Sequence, residues 1–427
     1  MLFFLTCFYI AFYYIRPTEW VPGILGVPIF NLLGIVSVVA LLLASIAGKI
    51  RLLQGEQEKM MAGFIAAIIL SHASHTYLQG MIDSINGSLP TLVGYFLVVS
   101  TINSRDRYNK VVMLLIILTT FLAFEGWLQY TTGFAHGGME PLVQRVVGAD
   151  GDVVEQYRVR WYGVLSDPND LGLALVIVVP FLLEMVFRKR FVLPIVCLPL
   201  VISAIYYTNS RGSFLAFLAA IGAYFVIRYR SKTGFIIGII LAIALFSLGP
   251  SRMAEMSSSD GSMLGRIEAW HQGFQMFKAN PLFGVGQGMF TEDYPLTAHN
   301  SFVLVMAELG LVGLFFYTGL IYYPFNWLWR NVFLSQRDNL STEDIGQLSA
   351  IFSSFIGMLA AMFFLSRSYD LVPFMMMAMA MTSTRLFSPA ANNIETSVTT
   401  TQKHYRNIAL LTLLQIIIIN LVVKMFL

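Results

Sequence analysis

Charge is scarce in this chain. Only 12% of its 427 residues are Asp, Glu, Lys or Arg, against 57% hydrophobic, where a soluble domain carries about 25% charged residues. That shortage, with a mean hydropathy of +0.70, excludes an ordinary soluble globule and predicts an all-α polytopic integral membrane protein. Cysteine is nearly absent: Cys7 and Cys197 both fall in apolar runs, which argues against a disulfide framework and a thiolate metal site. The opening run MLFFLTCFYIAFYYI lacks a basic leader and a small-residue cleavage site, so it reads as a retained span rather than a cleaved signal peptide. No linker, internal repeat or inverted halves divide the apolar runs, and a single membrane domain over 1–427 is expected. The net charge of +3 gives no ground for a nucleic-acid partner, because basic residues in a membrane protein mostly record topology.

Apolar runs approaching the roughly 20 residues of a membrane helix fall at about 1–15, 24–48, 60–78, 88–102, 111–130, 171–187, 191–207, 212–227, 235–249, 301–329, 345–365, 371–384 and 407–426. With several of them short, about 12–14 spans are expected. Basic clusters alternate between them, at Lys49, Arg51 and Lys59, at Arg105, Arg107 and Lys110, at Arg188-Lys189-Arg190 and onward to Arg406. Assigning these clusters to the cytoplasm places 17 of the 27 Lys and Arg inside, satisfies the positive-inside rule, and makes the N-terminus cytoplasmic.

Two outward segments, 131–170 and 250–300, are too long to be turns, and loops of this length are commonly functional. No strand stands out in the first, which ends in Ser166-Asp167-Pro168-Asn169-Asp170, a turn that opens the next helix. In the second, Met263, Ile267, Trp270, Phe274 and Phe277 fall at helical spacing. They predict an amphipathic helix on the outer leaflet, anchored by Trp270 and stopped at Asn280-Pro281. Gly284, Gly286 and Gly288 form a backbone-exposing turn, but no Rossmann helix follows it. The segment ends in Ala298-His299-Asn300, at the mouth of the long apolar run beginning at Ser301.

The candidate site residues are the outward cations and this histidine. Arg158, Arg160, Arg211, Arg266 and Arg367 stand where the topology rule disfavours them. An Arg at membrane depth costs about 2.5–3.5 kcal/mol, so each needs a partner, a headgroup or a function. Arg266 has Glu268 as a local alternative partner. A guanidinium grips phosphate oxygens through two parallel hydrogen bonds, and a histidine can take the proton of an attacking hydroxyl. The bland reading of His299 is an interfacial residue capping its helix, although Asn300 or Ser301 would cap better. His72 and His75 stand one turn apart within a span, but no carboxylate or Cys is spaced to complete a metal site, and helix–helix hydrogen bonding is the favoured reading. Glu308, on the helix that His299 opens, is expected to face the interior, as a structural group or paired to an Arg. No DxD motif has a plausible outward geometry, and no metal or other cofactor is expected.

These residues resemble the O-antigen ligase and polymerase superfamily, which also holds bacterial protein O-oligosaccharyltransferases. The superfamily pattern of His, a polar residue, nine residues, Gly, two residues and Gly reads here as His299-Asn300, Ser301 to Leu309, Gly310, Leu311-Val312, Gly313. The pattern Arg266, Trp270, Pro281, Gly284 and Gly286, and the Ser210-Arg211-Gly212 turn, resemble it too. The likeness covers about 155–325. It implies a GT-C-like glycosyltransferase of the bacterial inner membrane with a periplasmic active site. The implied substrates are an undecaprenyl-diphosphate-linked glycan donor and a lipid A–core or glycan acceptor, among membrane lipids. By the same resemblance His299 activates the acceptor hydroxyl, Arg211 and Arg266 bind the diphosphate, and Arg158 and Arg160 are weaker candidates for gripping the same carrier or its glycan. A ligase is the leading expectation. A polymerase and a protein O-glycosylating enzyme differ from it only in acceptor, and a lipid-linked sugar transporter is the alternative of a different class.

Overall fold

The computed structural model describes residues 1–147, 153–229, 236, 238, 261–333, 340–387 and 398–426. In chain order the helices are α1 (Leu2–Ile15), α2 (Ile29–Ile46), α3 (Glu56–Ala73), α4 (Leu78–Thr101) and α5 (Arg105–Thr132). A hairpin of β1 (Leu142–Val147) and β2 (Val153–Arg158) precedes α6 (Pro168–Val176), α7 (Val179–Phe187), α8 (Val192–Tyr207) and α9 (Arg211–Tyr229). Then come α10 (Gly261–Ala279), α11 (Phe290–Asp293), α12 (Ser301–Phe333), α13 (Thr342–Phe363), α14 (Leu371–Phe387) and α15 (Val398–Phe426). Eight helical stretches among the described residues, with α6 and α7 taken together as Pro168–Phe187, are long and apolar enough to cross a membrane, and the chain is an all-α polytopic membrane protein. Every expected span within the described residues contains helix; the run at 235–249 lies almost wholly outside them.

Local sequence explains where these helices begin and end. Ser104 opens α5 by accepting the Arg107 N–H at 3.3 Å, and Gly133 closes it in the left-handed region, φ +88°. Asp167 caps α6 by accepting the Asn169 N–H at 2.7 Å, with Pro168 at the first helical position, as the turn motif predicted. The apolar run 171–187 is one expected span but two helices, because Pro180 sets a new helix start at Val179. The first outward segment departs from expectation, since β1 and β2 pair antiparallel with Leu142 opposite Arg158 and Arg145 opposite Glu155.

The described residues form two compact units interleaved along the chain. One draws on Met1–Ala40, Thr101–Glu255 and Arg337–Ala361, the other on Leu41–Ser100, Met256–Gln336 and Met362–Leu427. Within the first unit a buried carboxylate, Glu184, accepts the Tyr224 hydroxyl at 2.7 Å and the Arg188 guanidinium at 2.9 Å, meeting the rule that interior charge must be paired. Within the second, α3 packs along α12. Gly63 leaves room for the Phe316 ring, which an added Cβ would overlap. Buried Gln57 donates to the Leu320 carbonyl at 3.0 Å and the Met377 carbonyl at 3.2 Å.

Candidate functional site

The helix that His299 opens is not continuous. At Gly310 the backbone turns to φ +62°, ψ −157°, a conformation open essentially to glycine alone. The loop that follows α10 fills the break. Val285 N–H donates to the Ala307 carbonyl at 3.0 Å and Gly286 N–H to Glu308 at 2.9 Å, while Leu311 N–H donates to Pro281 at 2.8 Å and Val312 N–H to Leu282 at 3.1 Å. Groups that the broken helix would leave unsatisfied in a dry interior are thereby paired, the condition for non-helical backbone at membrane depth. A Cβ on Gly284 would overlap the Glu308 backbone, and one on Gly310 the Leu282 backbone.

Two features of the sequence find their place on this loop. His75 Nε2 lies 2.9 Å from the Gly284 carbonyl and His72 Nε2 3.0 Å from that of Gln287. A carbonyl only accepts, so both imidazoles carry their proton on Nε2. They do hydrogen-bond, but to a loop rather than to another helix. Glu308, buried as expected, accepts the Tyr369 hydroxyl at 2.7 Å and the Phe290 N–H at 3.3 Å rather than an Arg. Burial and this carboxylate hold the Tyr369 hydroxyl well above its usual range.

His299 itself is half-buried and left-handed, φ +49°. That conformation costs a residue with a Cβ roughly 1–2 kcal/mol and persists only where the surroundings impose it. They do so on both sides. Trp270 Nε1 donates to the carbonyl of buried Ala298 at 2.9 Å. Asn300 Oδ1 accepts the N–H groups of Phe302 at 2.9 Å and Val303 at 3.1 Å, so Asn300 caps α12 and His299 does not. Ser301 donates to the Leu365 carbonyl at 2.6 Å and accepts the Arg367 N–H at 3.0 Å, and Ser368 donates to the Ser301 carbonyl at 2.8 Å. The neighbours are fixed, and His299 stands at the positive end of the half-helix Ser301–Leu309.

Arg266 reaches the same end of the second unit. It lies one turn before Trp270 on α10, with its guanidinium 5.9 Å from the centre of the Phe364 ring. Glu268 is engaged elsewhere: with burial, its charge and hydrogen bond push the Tyr294 hydroxyl up. The helix α10 stops before Asn280-Pro281 as expected, but its buried face includes Ile267, Ala269, Trp270 and Met276, and Gly273 sits against Val303 and Phe290. Trp270, expected as an interfacial anchor, is therefore buried against Phe363, with its indole N–H committed to the His299 segment.

Arg158, Arg160 and Arg211 belong to the first unit. Arg211 is the first residue of α9, after a turn in which Ser210 accepts the Ser213 N–H at 3.1 Å and donates to Asn169 Oδ1 at 2.5 Å. Arg158 is buried and builds this turn: Nε donates to the Thr208 carbonyl at 3.0 Å, a terminal N–H to Asn169 Oδ1 at 3.1 Å and another to Gln144 Oε1 at 3.3 Å. Asn209 Nδ2 adds a bond to the Tyr157 carbonyl at 3.0 Å. Arg160 is more open, its Nε donating to the Glu140 carbonyl at 3.1 Å. Arg367 lies 3.2 Å from Asp370. Sequence reasoning missed the pairing of Glu125 with His136, whose Nδ1 sits 2.7 Å from the buried carboxylate.

A multi-span helical membrane protein with a strained histidine at the mouth of a broken helix, held by a tryptophan one turn after an arginine on the neighbouring helix, is the class these features define. Residues 195–318 match the family model described as O-Antigen ligase, which supports the O-antigen ligase superfamily for this chain and an O-antigen ligase or polymerase type of function. The matched stretch contains Arg211, Arg266, His299, Gly310 and Gly313. No curated protein matches the chain.

Proposed function

We propose that this protein is a glycosyltransferase of the bacterial inner membrane that moves a glycan from undecaprenyl diphosphate to a hydroxyl of lipid A–core at the periplasmic face, with the N-terminus cytoplasmic. The observation that supports it most is His299, held left-handed between Ala298 and Asn300 with Arg266 at the same end of its unit. His299 takes the proton of the acceptor hydroxyl as its oxygen attacks the anomeric carbon. The bond from that carbon to the diphosphate oxygen breaks, and the electron pair leaves with undecaprenyl diphosphate. Arg266 and the positive end of Ser301–Leu309 stabilise the charge that develops on the leaving group. Arg211 is assigned to the same diphosphate on the family resemblance. Arg160 is a further contact to the same carrier or its glycan. Arg158 is better suited to holding the Arg211 turn, because its guanidinium already serves three acceptors. No step requires a metal.

The test is transfer by purified protein from an undecaprenyl-diphosphate oligosaccharide, with and without lipid A–core, beside His299→Ala. A lipid A–core adduct that disappears with His299→Ala while the variant stays folded is the expected result. Longer lipid-linked glycans made without lipid A–core would show a polymerase instead. Full activity of His299→Ala would remove the proton-acceptor assignment.

A further inference from the structure

A second charged site lies at the other end of the second unit. Gln57, near the start of α3, bonds to the carbonyl of Leu320 on α12. Nineteen residues of α12, in two half-helices joined at Gly310, separate Leu320 from Ser301; at 1.5 Å per residue they rise about 28 Å along their own axes, close to the roughly 30 Å of a hydrocarbon core. Beside Gln57 opens a cavity of about 380 Å³ lined by Lys49, Arg51, Arg385, Glu58, Gln54 and Ser100 among others. Three cations there face one carboxylate, and the carboxylate is already engaged. Buried Glu58 accepts the Gln54 N–H at 2.8 Å and the Gly55 N–H at 3.2 Å through one oxygen and Arg385 at 3.0 Å through the other. Lys49 and Arg51 are exposed and make no ion pair among the described residues. The cavity thus carries uncompensated positive charge.

Its surroundings indicate what supplies the negative charge. Immediately before Lys49, at the end of α2, Leu42, Leu43 and Ile46 are 52%, 62% and 84% exposed, and Leu53 follows Arg51 at 46%. A soluble phosphate would leave this greasy flank uncovered, whereas acyl chains would lie along it while their headgroup entered the cavity. Basic pockets between membrane helices bind anionic headgroups in this way. We propose that Lys49, Arg51 and Arg385 form a binding site for the phosphodiester headgroup of an anionic phospholipid, away from the end of α12 that His299 opens.

The experiment is a thermal melt of the purified full chain in detergent, titrated with dioleoyl phosphatidylglycerol, with dioleoyl phosphatidylcholine, or with inorganic phosphate. Phosphatidylglycerol is expected to raise the melting temperature saturably, and the other two to leave it unmoved. The Lys49→Ala/Arg51→Ala double variant, altered only at exposed side chains, should melt as the parent does without lipid and bind phosphatidylglycerol roughly 30-fold more weakly. Lys49→Arg with Arg51→Lys should restore binding. An equal response to phosphatidylcholine, or undiminished binding by the double Ala variant, would overturn the site. A shift reproduced by inorganic phosphate alone would make it a free-anion site and overturn the lipid assignment.

Discussion

Gly284 and Gly310 meet backbone to backbone: the Cβ that alanine would add at Gly310 falls on Leu282 and on the amide of Gly284. The loop and the helix break fit together only because neither residue has a side chain. Gly310→Ala adds that overlap to a left-handed φ, a strain of about 1–3 kcal/mol before any clash. It is expected to lower the melting temperature in detergent markedly and to abolish transfer. Gly222→Ala is the control, since its added Cβ meets nothing within 4 Å among the described residues and alanine favours the helix by up to about 1 kcal/mol. Equal behaviour of the two variants would mean the loop and the break do not constrain each other.

Trp270→Phe keeps an aromatic ring against Phe363 and removes the indole N–H that donates to the Ala298 carbonyl. A buried carbonyl left unsatisfied costs about 1–3 kcal/mol. The greater effect should fall on the reaction, because a displacement of about 1 Å at a reacting group can cost 10²-fold. The rate of glycan transfer is therefore expected to fall far more than the melting temperature.

Asn300 separates capping from charge. Asn300→Ala should lose about 0.5–2 kcal/mol of stability with its cap. Asn300→Asp caps equally well and suits the helix dipole, yet it sets a negative charge beside the proposed diphosphate. Retained stability with at least a tenfold loss of transfer is expected. Full activity in the Asp variant would place the diphosphate elsewhere.

Arg158→Lys tests whether that cation builds or binds. A lysine cannot serve Thr208, Asn169 and Gln144 at once, so a loss of about 2–3 kcal/mol is expected, read as a lower melting temperature. The apparent KM for the lipid-linked donor should stay near that of the parent protein. A raised KM at unchanged stability would return Arg158 to the substrate.

Much of this was readable in the chain. Hydropathy located the spans, Asp167-Pro168 and Asn280-Pro281 marked helix ends, and the His299 motif marked the mouth of α12. Hydropathy reports length and not continuity, so 301–329 read as one span, and the φ of Gly310 shows the break. The hairpin was missed because LVQRVV and VVEQYR are short and sit in a segment judged by its loop length, although their valines were a strand signal. Trp270 looked like an anchor because its stripe shows amphipathicity without saying whether lipid or protein covers it. The partners of His72 and His75 are backbone carbonyls, which leave no mark in side-chain spacing.

Those two histidines also bear on the order of assembly. His72 is 215 residues from Gln287 and His75 is 209 from Gly284, so at 5–20 residues per second the ribosome delivers their acceptors roughly 10–40 s after the imidazoles. For that interval α3 and the turn that follows it hold two polar rings whose eventual acceptors do not yet exist. A chain that stalls before the glycine loop leaves them unmated.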